Sequence, residues 1–285
     1  MILITGAGGK TGRAICDSLI ANRVEVRAMV RTASTGPALK DLGVTEIIVG
    51  DMTKTADMQC AFQGVRSVYH ICPNVSPDEV LIGQVAIQAA SEAGVEHFVY
   101  HSVLHPQIEA MPHHWLKLRV EEKLFESGLA FTILQPTAYM QNILAYWQGI
   151  CDDGVFTVPY SGDARSSMVD LQDVAQAALR VLTESGHEGA IYELCGGEVF
   201  TQNEIAGVLS SKLQHPVRVE KQDLADWETS ALASGMGIYQ LEALLGMFRY
   251  YDRYGFSGNS KVLSWLLGRE PATFAEFVDR VLEQS

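Results

Sequence analysis

Cysteine chemistry is nearly absent from this chain. The cysteines Cys16, Cys60, Cys72, Cys151 and Cys195 are odd in number, widely spaced, and contain no CxxC pair. That pattern argues against a disulfide framework and against a structural zinc site. Five reduced thiols in the cytosol are expected. Positive charge is also in short supply, with 21 Lys and Arg against 34 Asp and Glu and a net charge of −13. Nucleic acids and anionic membranes attract basic surfaces, so neither is expected as a partner. No apolar run approaches the length of a membrane span, and no basic segment with a cleavage site precedes the first apolar run at Ile2. A cytoplasmic protein is expected. No internal repeat or low-complexity linker interrupts the chain.

Charged residues make up only 19% of the 285 residues and hydrophobic ones 47%, enough apolar material for a substantial core. Short β-branched runs alternate with helical stretches. Strands are predicted at Met1–Thr5, Val24–Val30, Glu46–Val49, Ser67–Ile71, His97–His101 and Phe131–Gln135. Helices are predicted at Thr11–Ala21, Pro37–Leu42, Thr55–Phe62, Glu79–Ala93 and Trp115–Ser127. This rhythm implies an α/β fold, a Rossmann-type doubly wound parallel sheet. After about Gln141 the rhythm breaks. Val155–Pro159 reads as strand or loop, Leu171–Leu182 as helix, and further helices are expected at Gln202–Leu213, Leu224–Ser234, Gln240–Tyr250 and Thr273–Glu283. The expected organisation is a core over residues 1–150, with 163–186 returning to it, and a smaller α+β C-terminal substrate-binding lobe over 187–285.

The segment Gly6-Ala7-Gly8-Gly9-Lys10-Thr11-Gly12 follows the first strand and opens the first helix. Glycines there allow a tight turn and bring backbone N–H groups close to a pyrophosphate, which the helix N-terminus also favours. The second strand ends in Ala28-Met29-Val30-Arg31, without the carboxylate that would hold the ribose 2′-hydroxyl of NAD(H). Arg31 can instead pair a 2′-phosphate, with Lys10 adding a second charge, so NADP(H) is the expected cofactor. The plainer reading leaves Arg31 as a solvated residue after a strand. Asp51 and Met52, after the third strand, are placed for the adenine, with Asp51 toward its amino group. Cys72, Pro73 and Asn74, after the fourth, are placed for the adenosine and ribose.

With these segments the chain resembles the NmrA-like group of atypical short-chain dehydrogenases/reductases. The likeness continues through Gly94-Val95-Glu96-His97-Phe98-Val99-Tyr100 before Ser102, and through Phe131-Thr132-Ile133-Leu134-Gln135-Pro136. Val169-Asp170-Leu171-Gln172-Asp173-Val174-Ala175 and Leu266-Leu267-Gly268-Arg269-Glu270-Pro271 extend it to the C-terminal region. The group includes NADPH-dependent quinone and triphenylmethane-dye reductases and also regulatory proteins that bind dinucleotides without known turnover. The resemblance therefore implies the fold and the cofactor more directly than the reaction.

The wider family uses a Tyr-x-x-x-Lys pair on one helical face beside the nicotinamide. Here His113 stands where the tyrosine would, with Lys117 one turn on. A histidine can serve as a general acid near neutral pH, so His113 and Lys117 are candidates for proton delivery and ribose binding. The alternative is a polar helix start at Met111-Pro112-His113-His114, with both histidines solvated. A neighbouring lysine also makes a histidine harder to protonate unless a carboxylate compensates, and Glu121 is either that partner or a surface residue. Ser102 occupies the position of the family's active-site serine and either meets a substrate carbonyl or satisfies a loop N–H. Pro136, Thr137 and Ala138 resemble the segment that faces the nicotinamide carboxamide, with Tyr139 or Asn142 bordering the substrate. His101, His105, His113 and His114 lack a completing carboxylate or cysteine, so no metal is expected.

Trp227, Tyr239, Met247, Phe248, Tyr250, Tyr251, Tyr254 and Phe256 either line an apolar pocket for a planar substrate or form the lobe's own packing. The expected function is an NADPH-dependent reductase that passes hydride to a small planar electrophile, a quinone or conjugated carbonyl. The alternative is a non-catalytic NADP(H)-sensing regulator, and a cofactor-retaining isomerase or lyase stands behind both. A small molecule is the expected partner, and the protein is expected as a monomer or homodimer.

Overall fold

The computed structural model describes residues 1–284. In chain order it runs β1 (Ile2–Ile4), α1 (Lys10–Ala21), β2 (Val26–Val30), α2 (Gly36–Leu42), β3 (Glu46–Val49), α3 (Thr55–Phe62), β4 (Ser67–His70), α4 (Glu79–Ala93), β5 (His97–His101), α5 (Pro112–Glu126) and β6 (Phe131–Pro136). There follow β7 (Ala138–Tyr139), α6 (Trp147–Asp153), β8 (Val155–Val158), β9 (Arg165–Val169), α7 (Leu171–Thr183), β10 (Ile191–Leu194), β11 (Val199–Thr201) and α8 (Gln202–Leu213). The chain closes with β12 (Arg218–Lys221), α9 (Leu224–Ala233), α10 (Ile238–Tyr254), α11 (Lys261–Leu267) and α12 (Phe274–Gln284).

Two compact units emerge. The first comprises Met1–Gln107, His113–Gln135 and Val174–Tyr192; the second comprises Ile108–Pro112, Pro136–Asp173 and Glu193–Ser285. The division runs through Gln135–Pro136, earlier than the expected 150, and the returning segment is Val174–Tyr192 rather than 163–186.

The first unit is built on a seven-stranded sheet, ordered β3-β2-β1-β4-β5-β6-β10. Neighbours among β1 to β6 pair in parallel, with Ile4 opposite both Ala28 and Tyr69, and Tyr100 opposite both His70 and Ile133. That is the strand order of a dinucleotide-binding Rossmann sheet, in which the direction of winding reverses between β1 and β4. The loops leaving those two strands therefore diverge and open a crevice at the carboxyl edge. The strands are apolar because helices cover both faces. Met29, Phe62, Phe98, Tyr100, Val120 and Leu124 form the core on one side. On α1, Ile15, Cys16 and Leu19 are buried at helical spacing, while Ala14 and Ile20 are half-buried.

The second unit holds two small sheets, β11-β9-β7 and β12-β8. Ile150, Phe156, Ile205, Leu209, Phe274 and Phe277 pack between them and α6, α8 and α12. Asp170 and Asp173 are buried and ion-paired to Arg280 and Arg269 respectively, so the Val169–Val174 segment is held by charge as well as by packing. Both are buried carboxylates with compensating guanidinium donors. Among the described residues no helix is long and apolar enough to cross a membrane.

Candidate cofactor and reduction site

At the crevice, Thr5 ties the two diverging loops together. Its hydroxyl accepts from the Ile71 amide at 2.8 Å, lies 3.2 Å from the Ile71 carbonyl, and meets His70 Nδ1 at 3.0 Å. Gly6 then turns with φ +61°, and a Cβ there would lie 2.9 Å from the Ile71 carbonyl oxygen. Gly12 sits one helical turn into α1, where a Cβ would stand 2.5 Å from the Gly6 carbonyl oxygen and 2.6 Å from Ala7 Cα. Both glycines are therefore demanded by the chain's own backbone.

Gly8 and Gly9 are different. A Cβ on Gly9 would meet only the Gly6 carbonyl at 3.5 Å, and one on Gly8 only Thr35 at 3.4 Å or beyond. Nothing within the chain requires these two positions to lack a side chain. Gly9 is exposed and extended at the N-cap of α1, with no side-chain cap and no acidic residue in the first turn. The helix thus presents uncapped N–H groups, with no anion of its own, beside bare backbone. The chemistry of that helix start suits a phosphate group.

Arg31 leaves the end of β2 exposed, and it lies close enough to Asp51 to help hold that carboxyl below its ordinary range. The larger causes are the backbone and side-chain hydrogen bonds from Thr53, at 3.0 and 2.8 Å, both to Asp51 Oδ1. Met52 packs half-buried against the core. Cys72 is buried, and burial pushes its thiol up, whereas Pro73 and Asn74 are exposed. Lys10, exposed, heads α1. All these residues stand at carboxyl ends of neighbouring strands, as expected of a nucleotide crevice.

Lys117 occupies a place that sequence reasoning described only in part. Its ammonium donates to Glu79 Oε1 at 2.9 Å and to the His101 carbonyl at 3.2 Å, and lies 5.4 Å from the centre of the Tyr100 ring. The partner is Glu79, the first residue of α4, and not Glu121. An acidic residue opening a helix is ordinary dipole chemistry, so the sequence pattern carried no sign that Glu79 is buried. The inward alternation of Phe98 and Tyr100 on β5 was the available clue, because a buried phenol needs a polar partner.

Glu121 is buried and serves Ser102, whose hydroxyl donates to it; Gln135 adds donors to both carboxyl oxygens at 2.9 and 3.1 Å. Burial raises the Glu121 carboxyl above its ordinary range, against the opposing pull of those hydrogen bonds. Ser102, expected to meet a substrate carbonyl, therefore directs its proton inward. His113 is half-buried, its Nδ1 without a hydrogen-bond partner, and burial with the Lys117 charge lowers its pKa to about 4. A side chain neutral at pH 7 is poorly suited to act as an imidazolium acid. His114 is buried, not solvated, and packs edge-on to His113 at 4.6 Å.

In the second unit, the Thr137 amide donates to the Leu194 carbonyl at 3.1 Å and its hydroxyl to the Ser167 carbonyl at 3.0 Å. Its donors are engaged within the unit. Pro136 ends β6 and Ala138 pairs with Met168. The second unit's aromatics pack largely on each other: Trp227 against Phe248 at 4.8 Å, Tyr160 against Tyr251 at 5.9 Å, Tyr251 against Phe256 at 4.9 Å. Among the described residues no group of three His, Cys, Asp or Glu could hold a metal ion.

Residues 1–278 match the NmrA-like family. The chain belongs to that family. It is 31% identical over 279 residues to the NAD(P)H azoreductase of Xenophilus azovorans, covering 97% of this chain and 96% of that protein. It is 30% identical over 287 residues to quinone oxidoreductase 2 of Escherichia coli (strain K12), covering 99% and 98%. The crystal structure of the NADPH-dependent quinone oxidoreductase QOR2 from Escherichia coli, complexed with NADPH, superposes with a TM-score of 0.86 at 29% identity, covering 99% of this chain and 100% of that one.

Proposed function

We propose that this NmrA-like protein is an NADPH-dependent reductase acting on a small planar electrophile, a quinone or conjugated carbonyl. One observation carries the reading. At the β1/β4 switch point α1 opens with two glycines that the chain's own packing does not require, and with neither a cap nor an acidic residue, while Arg31 stands exposed at the end of β2.

In this reading Gly6, Gly8, Gly9, Thr11 and Gly12 hold the pyrophosphate, and Arg31 with Lys10 reads the 2′-phosphate. Asp51 and Met52 meet the adenine, and Cys72, Pro73 and Asn74 the adenosine side. Lys117 binds the nicotinamide ribose. Bound NADPH supplies a hydride, and the family relatives named for azo and quinone reduction support an electron-poor planar acceptor. The chain offers no tyrosine one turn before Lys117, and His113 is held neutral. Proton delivery by a dedicated acid is therefore not part of this reading. A quinone suits such a site, since hydride addition leaves an oxyanion that water can protonate, and positioning suffices. Pro136 and Ala138 are retained as proposed cofactor contacts, and the second unit as the proposed source of substrate selectivity.

The test is steady-state oxidation of NADPH on addition of a small quinone, with NADH as the rival donor. Quinone-dependent NADPH consumption, with quinol formed in equal amount, supports the proposal. Binding of NADPH with no consumption against a panel of quinones, enals and azo dyes contradicts it and leaves a regulatory role.

A further inference from the structure

We propose that Glu79 is the positioning residue that fixes Lys117 for the cofactor, an inference that rests on the reading of Lys117 as the ribose ligand. The Glu79 carboxylate gathers donors from two separate segments. Lys117 of α5 reaches Oε1 at 2.9 Å, and Tyr100 of β5 donates to the same oxygen at 2.8 Å. Glu79 itself is 2% exposed and opens α4.

An ammonium has three N–H donors. Two of those on Lys117 are directed by Glu79 and by the His101 carbonyl, and the Tyr100 ring flanks the charge at 5.4 Å. A flexible four-carbon stem is thereby reduced to one orientation, and the third N–H is left for a ligand hydroxyl. Burying a lone carboxylate is costly, and its retention among such partners is explained when it orients a neighbour that works.

The test is a double-mutant cycle on the full-length protein, read by NADPH affinity from tryptophan fluorescence and by urea unfolding. Glu79→Gln keeps the shape and removes the charge, and is expected to weaken NADPH about tenfold, in line with loss of one charge-assisted contact. In a Lys117→Met background the same change is expected to alter affinity by less than about twofold, because the residue acts through Lys117. It should also raise the unfolding midpoint of Lys117→Met, since it neutralises a carboxylate left buried without its cation. Tyr100→Phe removes one donor and keeps both charges; an expected loss of about threefold carries the test should Glu79→Gln fold poorly. Equal weakening in both backgrounds, or no weakening by Glu79→Gln while Lys117→Met weakens binding, overturns the positioning role and leaves the ribose reading standing. Unchanged affinity in Lys117→Met overturns the ribose reading, and the positioning role with it.

Discussion

Ser102 donates its hydroxyl proton to Glu121, a buried carboxyl that Gln135 also holds through both oxygens. The serine is thus a structural partner of α5. Ser102→Ala removes one donor and is expected to destabilise the protein by about 1 kcal/mol, while Glu121→Ala leaves the Ser102 hydroxyl and the Gln135 amide unsatisfied and costs about 2–4 kcal/mol. Urea denaturation ranks the two. A Ser102→Ala enzyme with unaltered stability and a hundredfold loss of quinone turnover contradicts this assignment.

The glycines of the first loop separate into two kinds. Gly12→Ala forces a Cβ to 2.5 Å from the Gly6 carbonyl oxygen, and overpacking of that order costs about 1–3 kcal/mol. Gly9→Ala meets only an ordinary 3.5 Å contact in an extended backbone. Thermal unfolding should therefore show a lowered midpoint for Gly12→Ala and an unchanged one for Gly9→Ala. NADPH affinity should fall in Gly9→Ala, because the added methyl occupies the space proposed for the pyrophosphate. Full affinity in a stable Gly9→Ala protein removes the pyrophosphate from that position.

Buried histidines set an acid limit on stability. Burial lowers His70 from 6.5 to about 4, and His101 and His114 from 6.5 to about 3. A base with a depressed folded pKa binds its proton in the unfolded chain first. Stability is full above pH 6.5 and declines as pH falls through that value, at up to ~1.4 kcal/mol per pH unit for each histidine, until the folded values near 4 and 3 are reached. The raised carboxyl of Glu121 acts in the opposite sense and offsets part of the loss. Urea midpoints across pH 7 to 4 measure the net slope; a flat profile contradicts the buried-neutral assignment.

His113, at about 4, is neutral across the working range. His113→Asn should leave the pH profile of turnover unchanged between pH 5 and 8. A limb near pH 6.5 that disappears in the variant would restore the general-acid role that the sequence suggested.

The glycine loop, the strand–helix rhythm and the strands β3 and β5 were legible because their signals are local: turn residues, apolar runs and helical spacing. The helix α5 begins three residues before Trp115, since Pro112 can open a helix where its missing N–H has no cost. The strand β9, central in its small sheet, reads Arg-Ser-Ser-Met-Val, with too little apolar alternation to announce itself, and the short α6 and α11 carried no pattern of their own. At the site, the residue types that meet ligand were readable from their offsets after each strand. The partners that hold them were not. Glu79 lies 38 positions from Lys117 and Thr5 lies 65 from His70, and such pairings arise only from the order of strands in the sheet.

Calorimetric titration of the protein, wild type and Arg31→Ala, with NADPH and NADH most directly tests the cofactor assignment on which the proposed reduction depends. Wild type should prefer NADPH by about tenfold or more, the value of a charge-assisted pair to the 2′-phosphate, and Arg31→Ala should lose most of that preference. Equal affinity for the two nucleotides, or a preference that survives in Arg31→Ala, would contradict it.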